Sequence, residues 1–142
     1  MNRSQIEALL NDVQSNRTSV PDALERLKDL PFEDLGFAKL DHHRSLRTGM
    51  PEVIFSAGKT SEQVAQIFAH MAKAGGNVLA TRASRECFEA VTIVEPRATW
   101  HEAARAITLE QTNAPAGRGT VCVVCAGTSD LPVAEEAAID EP

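Results

Sequence analysis

Ile6, Leu9, Leu10 and Val13 fall at the i, i+3, i+4, i+7 spacing of an amphipathic helix, which Asn16 to Ser19 interrupts. Pro21 suits a first helical position, and Leu24, Leu27 and Leu30 predict a second helix that ends at Pro31. Each helix has one apolar face that must dock, on a body domain or on another subunit. Phe37 to Asp41 alternates briefly and predicts a strand, as does Glu52 to Phe55 after Pro51. Gly58 then makes a turn. Thr60 and Gln63 have the spacing of a capping box, in which each side chain satisfies an otherwise free backbone N–H of the other. Val64, Ile67, Phe68 and Met71 give the following helix a buried face, and Gly75 and Gly76 close it with left-handed geometry. Val78 to Thr81 predicts a further strand, with Ser84 capping a short helix through Phe88. This β-turn-α-β order is the unit of a parallel sheet.

Beyond it, Val91 to Val94 predicts a strand, and Ala103, Ala104 and Ile107 give Trp100 to Ile107 a helical spacing. Thr112 to Gly119 is a Gly/Pro linker and the predicted boundary between domains. Thr120 to Cys125 is a nearly continuous apolar run, as in a central parallel strand, which Gly127 to Asp130 turns into a helix with Pro132 in its first turn. The predicted fold class is α/β: two N-terminal helices, a small β-α-β unit, and the first strand-turn-helix of a second, parallel α/β domain. The domains predicted are a helical arm over 1–34, a small α/β domain over 35–116, and the start of the second α/β domain over 117–142.

Composition narrows the function classes. A net charge of −6, with no basic tract beyond Arg44 and Arg47, argues against nucleic acid as a partner. No apolar run approaches the roughly 18 residues of a membrane span, and no signal peptide precedes the first helix. Three cysteines, an odd number, exclude a closed disulfide framework, so the expected setting is cytoplasmic and reducing. Aromatics are 4% with no Tyr, so Ala, Val, Leu and Ile have to fill the core.

Two segments carry candidate chemistry. In Asp41 to Thr60, Arg44 and Arg47 are spaced to share one helix face, and guanidinium forks bind phosphate bidentately. Asp41 and His42 are placed to orient that cluster, and Lys59 can reach an anion as a point charge. The alternative is a solvated polar loop with one His packed on the core. Adjacent histidines project differently and lack a third ligand at metal spacing, so no metal is assigned. The Gly58-Lys59-Thr60 triplet is not a nucleotide loop, because the required upstream glycine position is Val53. In the second segment, Gly127, Thr128, Ser129 and Asp130 follow a strand and open a helix. Free backbone N–H groups and the helix dipole there favour a phosphate or carboxylate. The alternative is an ordinary N-cap worth about 1 kcal/mol. Cys122 and Cys125, within the predicted strand, read as core residues rather than a redox or zinc pair, and Cys87 reads the same way.

The blocks DHHRSLRTGMPEVIFSAGKTSEQ, TRAS and GRGTVCVVCAGTSDLPVAEEA resemble the LarB family of nickel-pincer-nucleotide cofactor biosynthesis, from about Leu35 to Ala138. The resemblance implies an enzyme that carboxylates the pyridinium ring of nicotinic acid adenine dinucleotide and hydrolyses its phosphoanhydride. The products are AMP and pyridinium-3,5-biscarboxylic acid mononucleotide, a precursor of the lactate racemase cofactor. It implies CO2 or bicarbonate as co-substrate, no permanently bound cofactor, Mg2+ as a candidate ion, and a homo-oligomer. It also implies that 117–142 begins a domain similar to aminoimidazole ribonucleotide carboxylase, in which Gly127 to Asp130 occupy the nucleotide-binding turn, and that the catalytic cysteine lies in chain beyond it. Asp130 is the catalytic candidate; Asp41, His42, Arg44, Arg47, Lys59, Gly127, Thr128 and Ser129 are the substrate-binding candidates. Two alternatives stay open: a purine-synthesis carboxylase, and a non-catalytic fragment that binds a partner chain.

Overall fold

The computed structural model describes residues 3–27, 32–42, 44, 50–112 and 119–140. Two units form, Met1–Glu52 and Val53–Pro142.

In the first unit, helices α1 (Arg3–Gln14) and α2 (Val20–Leu27) pack together, with Leu9 and Ala23 buried between polar faces. Asn16, at φ 57°, ends the first helix in a left-handed turn. Ser19 opens the second: its hydroxyl accepts from the backbone N of Asp22 at 3.2 Å and donates to the Asp22 carboxylate at 2.6 Å. Pro21 is the second helical residue rather than the first. Leu10 and Leu24 stay exposed, so part of each predicted apolar face is open. Strands β1 (Phe32–Asp34) and β2 (Lys39–Asp41) make an antiparallel hairpin. Its turn is set by the Asp34 carboxylate, which accepts from Gly36 N at 2.8 Å.

The second unit holds a four-stranded sheet in the order β3-β4-β6-β5, with β3 (Val53–Phe55), β4 (Val78–Thr81), β5 (Thr99–His101) and β6 (Ala106–Leu109). β3 and β4 are parallel and joined by helix α3 (Ser61–Lys73), the predicted crossover; β6 is antiparallel to both its neighbours. In register, Ile54, Ala80, Ile107 and Trp100 form one row across the sheet. Helix α3 packs on the sheet and on helix α4 (Arg85–Val94). Phe68, Val64, Val91, Ile107 and Leu109 are the largest wholly buried side chains, an aliphatic core with one phenyl ring at its centre. Phe88 stacks on Trp100 with ring centroids 5.7 Å apart, which seals the β5 end.

Local signals account for the helix starts. Thr60 Oγ1 accepts from Gln63 N, and Gln63 Oε1 accepts from Thr60 N, so the capping box forms as predicted. The carboxyl of Glu62 is held below the ordinary carboxylate range, first by its own backbone N–H and then by the Thr60 hydroxyl. A carboxyl lowered in the folded chain stabilises fully above its ordinary range, and that contribution is lost as pH falls through the lowered value. Thr60→Ala is therefore expected to cost about 1 kcal/mol at neutral pH and less in acid, as read by urea unfolding at the two pH values.

Four expectations are corrected. Gly75 takes left-handed geometry at φ 83°, but Gly76 does not. Val91 to Val94 is the last turn of α4, since Ser84 starts a helix that has no breaker before Glu95, whose N donates to Val91 O. Trp100 to Ile107 is a hairpin, not a helix: pairing with β4 commits Ala106–Leu109 to the sheet, and Glu102–Arg105 turn with Arg105 at φ 50°. Thr120 to Cys125 has no regular structure and is exposed, so Cys122 and Cys125 are surface residues rather than core ones. An apolar run becomes a strand only where another strand supplies backbone partners. Cys87 is buried as expected. The helix predicted after Gly127 to Asp130 is present as α5 (Leu131–Asp140).

Candidate functional site

In the first unit, Asp41 and His42 sit where β2 leaves the hairpin. Asp41 N donates to Glu52 Oε2 at 2.6 Å, and His42 Nε2 lies 2.9 Å from Glu33 Oε2. His42 Nε2 is placed to donate to that carboxylate. Glu33 and Glu52 thus orient the start of the DHHR block, a role that the sequence alone did not reveal because the contacts join residues nine and eleven positions apart. Arg44 is exposed, and Arg47 lies outside the described residues. Among the described residues, no three His, Cys, Asp or Glu side chains come together as a metal site.

In the second unit, the chemistry gathers at the carboxyl ends of the parallel strands β3 and β4, where open α/β sheets hold ligands. Ser56 N donates to Thr81 O at 2.9 Å and Lys59 N donates to Ser56 O at 3.1 Å, so the loop Ser56 to Thr60 turns beside the end of β4. Gly58, at φ 82°, allows that turn. Lys59 Nζ folds back to Phe55 O at 2.7 Å. Ser56 is 3% exposed, and its hydroxyl has no hydrogen-bond partner among the described residues.

Opposite, Arg82 follows β4 in the left-handed region at φ 52°, and its Nε is 2.8 Å from Glu136 Oε2 in α5. Ser84 caps α4 by accepting from Cys87 N, and its hydroxyl donates to the Cys87 thiol, which also lies 3.7 Å from Ser61 Oγ. Glu86 is held below the ordinary carboxylate range, first by the Ser84 hydroxyl and then by its own backbone N–H. Both helix starts are therefore satisfied by the chain itself. Sequence reasoning assigned no role to Ser56, Arg82 or Glu136; Arg82 stands in the TRAS block, but its partner is a residue of a distant helix.

Gly127 to Asp130 form an exposed turn. Gly127 has φ 116°, Asp130 N donates to Gly127 O at 3.3 Å, and Asp130 O accepts from Val133 and Ala134 N as α5 begins. Ser129 Oγ donates to Asp130 Oδ1 at 3.5 Å. The turn is thus the helix start the sequence predicted, with Thr128 and Ser129 facing solvent.

A β-α-β crossover with Lys59 in the loop before α3 and Arg82 directly after β4 defines a small α/β module. Residues 32–111, more than half the chain, match the LarB/PurE-like N-terminal domain, and the chain belongs to that family. It is similar to an uncharacterized protein of Methanocaldococcus jannaschii, 29% identical over 109 residues that cover 70% of this chain and 41% of that protein. The chain thus spans about two fifths of that relative's length. No described helix is long and apolar enough to cross a membrane.

Proposed function

We propose that this chain is a portion of a carboxylase acting on the pyridinium ring of nicotinic acid adenine dinucleotide and hydrolysing its phosphoanhydride, for the nickel-pincer cofactor. The observation that supports it is the family match over residues 32–111, which contains the DHHR, SAGKT and TRAS blocks. In this reading Arg44, Arg47 and Lys59 hold phosphate or carboxylate groups. Asp41 and His42, fixed by Glu52 and Glu33, set the direction of the basic block. Thr128, Ser129 and the Gly127 turn seat the mononucleotide phosphate, and Asp130 binds or deprotonates a group at the same turn. Carboxylation requires a nucleophile to add to the ring, which removes its positive charge and lets a ring carbon attack CO2. Among the described residues, Cys87 is buried and is bonded to Ser84.

Equilibrium dialysis of the 142-residue chain with nicotinic acid adenine dinucleotide is expected to show saturable binding, in preference to aminoimidazole ribonucleotide. Arg44→Ala is expected to weaken it about tenfold, the loss of one charge-assisted contact. Adding bicarbonate and Mg2+ and following AMP and the biscarboxylated mononucleotide by mass spectrometry shows whether the reacting groups lie within these residues. Binding of the ribonucleotide but not the dinucleotide overturns the reading in favour of the purine-synthesis one.

A further inference from the structure

At the carboxyl ends of β3 and β4 the helix starts are already engaged, by the Thr60–Gln63 box on α3 and by Ser84 on α4, with Glu62 and Glu86 adding negative charge. An anion received at this end of the sheet has to be held by side chains. Two cations lie in the loops at this end of the sheet. Phe55 pairs with Thr81 in register; Lys59 Nζ sits on the carbonyl of the first, and Arg82 is the residue after the second. The backbone around Arg82 is fixed on both sides, because Thr81 O accepts from Ser56 N and Ala83 N donates to Arg105 O at 2.8 Å. Ser56 follows β3 and is buried with its hydroxyl unpartnered among the described residues, and Ser61, Ser84 and Cys87 meet at the starts of α3 and α4.

The Arg82 guanidinium meets Glu136 through Nε, with side-chain exposures of 36% and 22%. A single half-buried pair still in contact with water contributes modest net stability. It nonetheless ties α5 to the loop after β4; in that helix Leu131 and Val133 are 46% and 51% exposed, while Pro132, Ala134 and Ile139 are half-buried. A phosphate group, with up to two negative charges and several acceptor oxygens, competes for a guanidinium fork better than a single carboxylate.

We propose that Arg82 is a phosphate-binding residue whose guanidinium Glu136 holds in reserve, so that a phosphate group seated beside the SAGKT and TRAS loops displaces Glu136 and frees helix α5. Arg82 then gains the ligand oxygens, Lys59 supplies the second charge, and Glu136 returns to water. Because α5 begins at the Gly127 to Asp130 turn, occupancy of the strand-end site is felt at that turn. The source of the phosphate, a free anion or the dinucleotide, rests on the function proposed above.

The test uses the whole chain as wild type, Arg82→Gln, Arg82→Lys and Glu136→Gln, with inorganic pyrophosphate and nicotinic acid adenine dinucleotide as separate probes. Calorimetry reads affinity, and amide hydrogen exchange reads Leu131–Asp140. Pyrophosphate is expected to speed exchange across that helix in the wild type. Glu136→Gln, a half-buried and isosteric change, is expected to exchange fast without ligand and to bind pyrophosphate about three- to tenfold more tightly, and Arg82→Gln to bind it about tenfold more weakly, with Arg82→Lys between. Pyrophosphate affinity indifferent to both Gln variants, or binding that leaves α5 exchange unchanged, overturns the proposal. Pyrophosphate release of α5 without dinucleotide binding supports the latch and removes the dinucleotide reading. Dinucleotide binding indifferent to Arg82 and Glu136 does the reverse, and failure of the wild type to bind either probe removes both.

Discussion

Phe68→Ala is expected to lower the stability of the second unit by about 3–5 kcal/mol, the range for emptying a buried phenyl site. Phe68 has no exposed surface and sits on α3, the helix that packs on both the sheet and α4. Val64, Val91 and Ile107, rigid branched residues of the same core, are themselves fully buried and leave little room for collapse. With total stabilities of about 5–15 kcal/mol for a domain, such a loss takes a large share of the whole. Urea unfolding followed by circular dichroism measures it, and a midpoint unchanged from the wild type would show that Phe68 is not the centre of the core. Phe68→Leu is expected to lose less than half as much, because most of the volume remains.

The second large effect is expected at a polar site. Asn77, between α3 and β4, accepts at Oδ1 from Gln111 N at 2.8 Å, Thr112 N at 2.9 Å and Thr112 Oγ1 at 3.2 Å, and donates from Nδ2 to Thr112 O at 3.0 Å. Gln111 completes the knot by donating from Nε2 to Ala72 O and Gly76 O at 2.8 and 2.7 Å. Two side chains, Asn77 and Gln111, thus close the end of β6 onto the end of α3. Asn77→Ala removes one donor and an acceptor oxygen shared by three donors, and is expected to cost about 2–3 kcal/mol, since the half-buried Gln111 N loses its partner. Asn77→Asp keeps the acceptor and should lose less. Equal losses in the two variants would mean that the Nδ2 bond alone carries the effect.

Much of this was visible in the sequence wherever the cause is local. The Thr60–Gln63 box, the Ser84 cap and the Val64, Ile67, Phe68, Met71 stripe are short-range patterns, and all three are found as read. What failed depends on partners far along the chain. Ala103, Ala104 and Ile107 have helical spacing, but the pairing of Val78 with Leu109 and Ala80 with Ile107 decides in favour of a hairpin. Thr120 to Cys125 has a strand's composition, yet composition supplies no partner backbone. The candidate site divides in the same way. Residue types in Asp41 to Thr60 and Gly127 to Asp130 showed which groups could hold an anion. The contacts that orient or restrain them, Glu33 on His42, Glu52 on Asp41 and Glu136 on Arg82, join separate elements that no spacing rule connects.

The position of β3 at the rim of the sheet bears on the order of assembly. The β5–β6 hairpin closes through the short turn Glu102–Arg105, and such local pairings form early. β3 spans three residues, bonds to β4 alone within the sheet, and leaves Val53 and Phe55 partly in water. Its docking must wait until the intervening helix has brought the two parallel strands together. A strand that joins late and is held on one side also detaches in partial openings that leave the rest of the domain intact. The loop bearing Ser56 and Lys59 is attached to that strand, so the end of this unit proposed to receive an anion belongs to its least protected substructure, and an anion bound there would act as a staple against local unfolding.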